Sequence, residues 1–164
     1  MPVEIPTARL GESLADYTRP ELIIPRLHAA DPLGVIEELS RCLREQEIIG
    51  DLFSFYHAAV NHEFLCNSAL RSGLAVPHAR SSQVNRLMMA VGRASRPMTW
   101  GGKGSWPVDH VFLLAVPSTA AQEHLSLLSG IAGFANQPEM LVRLRAAAGA
   151  HEMFEILTDV KTAS

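Results

Sequence analysis

His78 and His124 are the residues of this chain whose types and settings point most directly to chemistry. His78 follows Pro77, whose ring fixes the φ angle of Pro77 and pushes Val76 toward extended geometry. The His78 imidazole therefore projects from a backbone position with little freedom. His124 lies farther along the chain, in the opening turns of a predicted helix. A fixed imidazole with a second imidazole to assist it favours phosphoryl-transfer chemistry.

Length, composition and charge predict one globular domain. The chain has 164 residues, of which 48% are hydrophobic and 19% are charged, which is enough to bury a core and too apolar for a disordered protein. The formal net charge is −3 and no block of Lys and Arg occurs, so we expect no nucleic acid partner. Residues 1–13 are expected to be a loose leader, followed by a single domain over 14–160.

The cysteine and hydropathy patterns favour a cytoplasmic protein. Cys42 and Cys66 have no paired spacing, and they are predicted to be free thiols in a reducing compartment. No segment is apolar over a membrane-spanning length, so no direct membrane insertion is expected. The chain contains no pair of histidines spaced to share a helix face, and we expect neither a metal nor a cofactor.

Helical and strand patterns alternate along the chain. Short apolar runs predict strands over 74–76, 87–91 and 108–116, and longer periodic segments predict helices over 31–43, 51–65, 119–134, 138–148 and 152–157. Helices that interleave with buried strands indicate an α/β fold, with a sheet covered by helices on both faces.

Several local patterns refine this interpretation. Asp31 before Pro32 predicts a helix cap, and the second helix is expected to bury one side that includes His62. Thr119 with Gln122 indicates a capping box, and it opens a helix whose apolar stripe is predicted to contain Leu125, Leu128 and Ala132. Residues 93–105 contain Pro97 and three glycines and predict a loop or a hairpin tip, with Trp100 and Trp106 at a partner surface.

The segment around His78 resembles the phosphorylation segment of the mannitol/fructose-type (type 2) EIIA domains of the bacterial phosphotransferase system, including their nitrogen-regulatory relatives. The resemblance covers about residues 14–157. Its motifs are GLAVPH at 73–78, PELI at 20–23, VDHVFLLAVP at 108–117 and EHL at 123–125.

This resemblance implies a fold and a function. The implied fold is a three-layer α/β/α sandwich with a mixed central sheet. The implied function is a phosphoryl carrier, a component of a phosphotransferase, in which His78 accepts phosphate from HPr or its nitrogen-branch homologue and His124 flanks the phosphoryl group. An EIIB domain or a regulatory target protein would act downstream, and the regulatory role is favoured because the chain shows no transporter segment.

The resemblance also points to four supporting residues, His62, Glu63, Ser68 and Arg80. The family usually has arginine where this chain has His62. A guanidinium is always charged and donates paired hydrogen bonds, whereas an imidazole titrates, so we expect weaker phosphate binding at higher pH. Arg71 or Arg80 could supply the missing charge.

Two other functions stay open at this point. The first is a binding module on the same fold that no longer transfers phosphate, which the replacement at His62 favours. The second is a small-molecule hydrolase in which His78 and His124 act as acid and base, although the sequence offers it no separate nucleophile or metal set.

Overall fold

The computed structural model describes residues 12–102 and 104–162, and this part of the chain contains five strands and five α-helices. Two short 3-10 turns, Leu14–Tyr17 and Pro20–Leu22, precede them. In chain order the elements are β1 (Ile23–Ile24), α1 (Pro32–Glu45), α2 (Leu52–Leu65), β2 (Leu74–Ala75), β3 (His78–Ser81), β4 (Met88–Thr99), β5 (Pro107–Pro117), α3 (Ala121–Ala135), α4 (Pro138–Ala146) and α5 (Ala150–Thr158).

Strand β5 is the centre of the sheet. It pairs with β4 in antiparallel orientation on one side, and with β2 and then β3 in parallel orientation on the other, while β1 adds to β4 in parallel. The sheet is therefore mixed. This pairing sets His78, the first residue of β3, opposite Leu114 of β5.

The two faces of the sheet carry separate cores. Because successive side chains of a strand point to opposite faces, Phe112 and Leu114 of β5 join a core formed with α3, α4 and α5. Val111 and Leu113 join the other core, formed with α1 and α2. The result is the three-layer α/β/α sandwich with a mixed central sheet, and the predicted fold class is confirmed.

Helices α1 and α2 begin at aspartate caps. The Asp31 side chain accepts a hydrogen bond from Gly34 N at 2.9 Å, as the sequence predicted, and Asp51 accepts one from Phe53 N at 3.0 Å. Along α2 the buried residues are Phe55, Ala59 and Glu63, which lie four residues apart. The buried side therefore carries Glu63 rather than His62, whose side chain is exposed, and the sequence expectation for this helix face was wrong at its end.

The hairpin that was one alternative for residues 93–105 is present, because β4 and β5 pair in antiparallel orientation, but residues 93–99 belong to strand β4 itself. β4 continues to Thr99, and after a register irregularity between Arg93 and Met98 it pairs again with β5, Met98 opposite Val108. Pro97 lies within that irregularity, where a missing N–H is tolerated. The prediction was wrong for residues 93–99 because Pro97 was taken as a loop signal, whereas the strand accommodates it in a bulge.

Helix α3 begins differently from the prediction. Its N-cap is Ala120 without a side-chain cap, so the capping box at Thr119 is absent. The residues that α3 buries are His124, Ser126, Leu127, Gly130, Ile131 and Phe134. Leu125, expected in the core, is 66% exposed. The helix is thus rotated from the predicted stripe, and this rotation turns His124 inward.

Residues 1–11 of the predicted leader lie outside the described residues. Of its last two, Ser13 forms an isolated antiparallel bridge with Lys161, and Glu12 O accepts a hydrogen bond from Thr162 N at 3.2 Å. The division of the chain into a leader and a domain stays a prediction.

Candidate active site

Three imidazoles from three elements meet beyond the end of β2. The ring of His78, at the start of β3, lies 4.1 Å from that of His62 and 5.0 Å from that of His124, measured between ring centroids. His62 comes from the last turn of α2 and His124 from the first turn of α3. His78 is partly buried, His62 is exposed and His124 is buried. The structure thus brings together three of the histidines singled out in the sequence.

His78 is held by the sheet and by a rigid approach. Val76 and Pro77 are buried, and Pro77 O accepts a hydrogen bond from Leu114 N at 2.9 Å. The Nδ1 atom of His78 lies 3.4 Å from Val76 O. A carbonyl can only accept, so Nδ1 carries the proton and Nε2 keeps its lone pair in the neutral ring.

The surroundings of His78 keep it neutral. Burial lowers the pKa of His78, and the neighbouring His62 lowers it further, while the hydrogen bond to Val76 opposes this only in part. At pH 7 the ring is therefore a neutral imidazole with a free Nε2, which is the nucleophilic form.

His124 is more strongly affected. Burial, followed by the charges of His78, Arg80 and His62, lowers the pKa of His124 to about 4. Its Nε2 is buried and has no hydrogen-bond partner among the described residues. An unpaired buried nitrogen is costly, so a hydrogen-bonding group that reached this atom would be stabilised there.

The low pKa of His124 makes folding stability depend on pH. In the unfolded chain a histidine takes up a proton near pH 6.5, whereas folded His124 resists it until about pH 4. Between these values the unfolded state binds more protons, so stability is full above pH 6.5 and falls as pH falls toward 4. Across this window the wild-type protein should lose on the order of 3 kcal/mol of its free energy of unfolding through His124, and His124→Gln should not show this loss. Urea unfolding of both proteins at pH 7 and pH 4.5 measures the difference. Parallel pH profiles of the two proteins would contradict it.

Glu63 holds the segment that leads to His78. Its side chain is 9% exposed, and its Oε1 accepts hydrogen bonds from Ser68 N at 2.8 Å, Ser68 Oγ at 3.0 Å and Trp100 Nε1 at 2.6 Å. The Ser68 hydroxyl in turn accepts from Val76 N at 2.9 Å. A continuous hydrogen-bonded chain therefore runs from Trp100 to Val76, whose carbonyl faces the His78 ring.

The two arginines considered for the missing charge lie in different places. Arg80 is exposed and its charge acts on both His78 and His124. Arg71 lies over the Trp106 ring, with its guanidinium carbon 5.5 Å from the ring centroid. Of the two, Arg80 contributes positive potential at the cluster.

Trp100 is the residue of this site that the sequence interpretation missed. It was expected at a partner surface, but it is fully buried and donates to Glu63. The available signal was the alternation of apolar Met98, polar Thr99 and apolar Trp100, which is the period of a half-buried strand. Trp106 is 45% exposed.

Three large apolar side chains that are near the cluster in sequence are exposed. Phe64 is 90% exposed, Leu65 84% and Leu125 66%, and each is close in sequence to a histidine of the cluster. Among residues 12–102 and 104–162, no group of three or more His, Cys, Asp and Glu side chains is arranged to hold a metal ion. In the same part of the chain, no helix has the length and apolarity to cross a membrane.

Similar proteins agree on one family. The family model for "Phosphoenolpyruvate-dependent sugar phosphotransferase system, EIIA 2" matches residues 16–160. The nitrogen regulatory protein of Pseudomonas aeruginosa is 30% identical over 127 residues, which are 77% of this chain and 82% of that protein. That of Bradyrhizobium diazoefficiens is 27% identical over 145 residues, which are 88% and 94% of the two chains.

Solved structures give the same result. The crystal structure of the nitrogen regulatory protein IIA-Ntr from Neisseria meningitidis matches with a TM-score of 0.80 and 25% identity, over 88% of this chain and 98% of that one. The mannitol IIA protein of Escherichia coli shares the fold, with a TM-score of 0.73 at 17% identity over 85% and 97% of the chains. The resemblance noted in the sequence is confirmed: this chain belongs to the type 2 EIIA family of the phosphoenolpyruvate-dependent sugar phosphotransferase system.

Proposed function

We propose that this protein is a regulatory phosphoryl carrier that accepts the phosphoryl group on Nε2 of His78. The observation that carries the proposal is the setting of the His78 ring. Its Nδ1 faces Val76 O at 3.4 Å and its pKa is lowered, which leaves a neutral ring with Nε2 free. Two further imidazoles lie beside it, where the oxygens of a phosphoryl group would need donors.

The proposed step is an in-line exchange between two imidazoles. The lone pair of His78 Nε2 attacks phosphorus, the new N–P bond forms and the N–P bond to the donor histidine breaks. The donor ring takes back the electron pair of the broken bond. The proton on His78 Nδ1 stays on that nitrogen throughout, directed at the Val76 carbonyl oxygen. For such a transfer the protein must mainly align the two rings with the phosphorus atom and stabilise the charge on the phosphoryl oxygens.

The remaining site residues would bind or position. His124 would donate from its unpaired Nε2 to a phosphoryl oxygen, in the tautomer that carries the proton there. His62 and Arg80 would supply positive charge from the exposed side. Ser68 and Glu63 are engaged with each other and with Val76, so we assign them to positioning of the loop rather than to phosphate.

The proposed partners follow from the exposed apolar side chains near the histidines in sequence. We expect an HPr-like phosphodonor to dock on the exposed side chains of Phe64, Leu65 and Leu125 and to bring its histidine to His78. A domain of the EIIB kind or a regulatory target would take the phosphoryl group or sense it. We place this exchange in the cytoplasm, with residues 14–160 as the working domain.

Phosphorylation by purified donors tests the proposal. The protein is incubated with phosphoenolpyruvate, Enzyme I and HPr, or with the nitrogen-branch donors, and its intact mass is measured. We expect one acid-labile phosphoryl group, absent in His78→Ala and retained in His57→Ala, a matched change of an exposed histidine on α2. If the wild-type protein stays unmodified with both donor sets, the carrier function is excluded and a binding module on the same fold, favoured by His62, takes its place.

A further inference from the structure

A tight turn at residues 70–73 lies just ahead of the strand that leads to His78. Leu70 N donates a hydrogen bond to Leu74 O at 2.7 Å, which closes the turn at the first residue of β2. Strand β2 then passes directly into Val76, whose carbonyl oxygen lies 3.4 Å from His78 Nδ1. A shift of this turn would therefore be carried along β2 to the carbonyl that sets the tautomer of His78.

The conformation of the turn depends on Gly73. Its φ angle is +95°, in the left-handed region that favours glycine, and a Cβ atom there would lie 3.0 Å from Asp109 Oδ1 and 3.3 Å from Arg145 Nη2. The Gly73 carbonyl oxygen accepts hydrogen bonds from Asp109 N at 2.9 Å and from His110 N at 3.2 Å. The turn thus lies directly against β5 and against the side chain of Arg145.

Arg145 joins the turn to β5. Its Nε donates to Asp109 Oδ2 at 2.8 Å, and its Nη2 donates to Ser72 O at 3.0 Å. The other carboxylate oxygen of Asp109 accepts from His110 Nδ1 at 2.9 Å. Burial raises the pKa of Asp109, but the hydrogen bonds from His110 and Arg145 outweigh it, so the net shift of the pKa is downward and the carboxylate is charged at neutral pH. A planar guanidinium that makes both of these bonds is held in one orientation.

The helix end that carries Arg145 is itself anchored to the sheet. Arg145 lies in the last turn of α4. Arg93 of β4 donates from Nη1 to Leu144 O at 3.0 Å and to Ala147 O at 2.7 Å, and these are carbonyl groups of the kind that a helix leaves unpaired at its C-terminus. The Nε of Arg93 donates to Pro25 O at 3.0 Å. The side chain of Arg145 therefore extends to the turn from a fixed backbone.

From these contacts we infer that Arg145 is a positioning residue for phosphoryl transfer at His78. It holds residues 70–73 against β5, and through β2 it fixes the Val76 carbonyl that keeps the proton of His78 on Nδ1. Its hydrogen bonds go to Ser72 and to β5 rather than to the histidine cluster, so it acts through the backbone and is not a catalytic residue. The inference rests on the proposed function.

Arg145→Met tests the inference, because methionine keeps an unbranched side chain and removes both donors. The rate of phosphorylation by phosphoenolpyruvate, Enzyme I and HPr, or by the nitrogen-branch donors, is measured against the concentration of the phosphodonor. We expect the maximal rate to fall by about fivefold and the KM for the phosphodonor to stay within about twofold of the wild-type value, since misalignment slows the transfer itself. The loss is incomplete because Glu63 and Ser68 still hold Val76 N.

The His78 ring gives a second readout, which a loss of stability alone would not change. Long-range 1H–15N correlation spectra distinguish an imidazole protonated on Nδ1 from one protonated on Nε2. In Arg145→Met the His78 resonances should move from the Nδ1–H tautomer toward a mixture, while those of His57, an exposed histidine on α2, stay in place. Arg145→Lys keeps one cationic donor but not the planar fork, so its rate and its spectrum should lie between those of the wild-type protein and Arg145→Met.

Arg143→Met is the matched control. Arg143 lies on the same helix and pairs with Asp159 at 3.7 Å, so this variant should keep the wild-type rate and the wild-type His78 spectrum. A wild-type rate in Arg145→Met, or equal losses in the two methionine variants, would overturn the inference. Should Arg145→Met not fold, the same comparisons are made with Arg145→Lys.

Failure of the proposed function is a separate outcome. If neither donor set phosphorylates the wild-type protein, the carrier function is excluded, and the spectra alone decide whether Arg145 positions the His78 ring. A displaced His78 spectrum in Arg145→Met but not in Arg143→Met supports that role. An unchanged His78 spectrum in Arg145→Met overturns the inference whether or not transfer occurs.

Discussion

Replacement of Glu63 by alanine is expected to lower the free energy of unfolding by about 3 kcal/mol and to abolish phosphorylation of His78. The substitution leaves Ser68 N–H and Trp100 Nε1–H without their acceptor, and Trp100 is fully buried. It also frees the Ser68 hydroxyl, which fixes Val76. Urea unfolding gives the first quantity, and intact mass after incubation with the phosphodonors gives the second.

Two further variants separate geometry from charge. Glu63→Gln keeps an acceptor oxygen for the same donors, so it should retain most of the stability. Trp100→Phe removes one donor together with its partner contact and should cost less than Glu63→Ala, because the carboxyl group keeps both Ser68 bonds. If Glu63→Ala proved as stable as the wild type, or accepted phosphate at the wild-type rate, the positioning role would be wrong.

Exchange of His62 for arginine should lengthen the lifetime of phosphorylated His78 above neutral pH by about fivefold. The His62 ring lies 4.1 Å from His78, within reach of an attached phosphoryl group. An imidazole loses its charge as pH rises, whereas a guanidinium keeps its charge and can donate two parallel hydrogen bonds. Because the position is exposed, we expect the guanidinium to stabilise phosphorylated His78 by about 1 kcal/mol, which is less than a buried ion pair would contribute. The hydrolysis rate of the isolated phosphoprotein, measured between pH 6 and pH 9, gives this lifetime.

The control for this exchange is His57→Arg. It adds the same charge to another exposed position of α2, where the ring neighbours are Phe53 and Tyr56 rather than His78. Its hydrolysis profile should match that of the wild-type protein. An unchanged rate for His62→Arg above pH 7, or an equal effect of His57→Arg, would show that His62 does not contact the phosphoryl group.

The sequence predicted the layers of this fold well because their signals are local. Strand β5 is a long apolar run, helix α1 is strongly patterned, and the Asp31 cap is a short-range contact. Residues 93–99 were not predicted as strand because their pairing with β5 is decided by tertiary contacts that override the propensity of Pro97. The rotation of α3 was missed because Leu125 and Leu127 are equally apolar, and only the packing decides which of them is buried.

The site was predictable in part for the same reason. His78 stands out because Pro77 and the preceding strand form a contiguous pattern, and His124 because it lies at the start of a predicted helix, while the resemblance gave His62 a role in the site. Trp100 was not predicted as the donor to Glu63, since the two residues are far apart in sequence and no local pattern pairs them. That His124 Nε2 is buried without a partner could be seen only once α3 was packed.

The central position of β5 also determines at what point of synthesis the histidine cluster can assemble. β2 and β3, which precede β4 in the chain, have no place in the sheet until β5 has been synthesised, and the histidine cluster lacks His124 until α3 follows. Non-local pairing of this kind forms late in folding. A ribosome-bound chain that stops before α3 thus contains His62 and His78 but lacks His124, so the complete cluster of three imidazoles exists only after α3 has been synthesised.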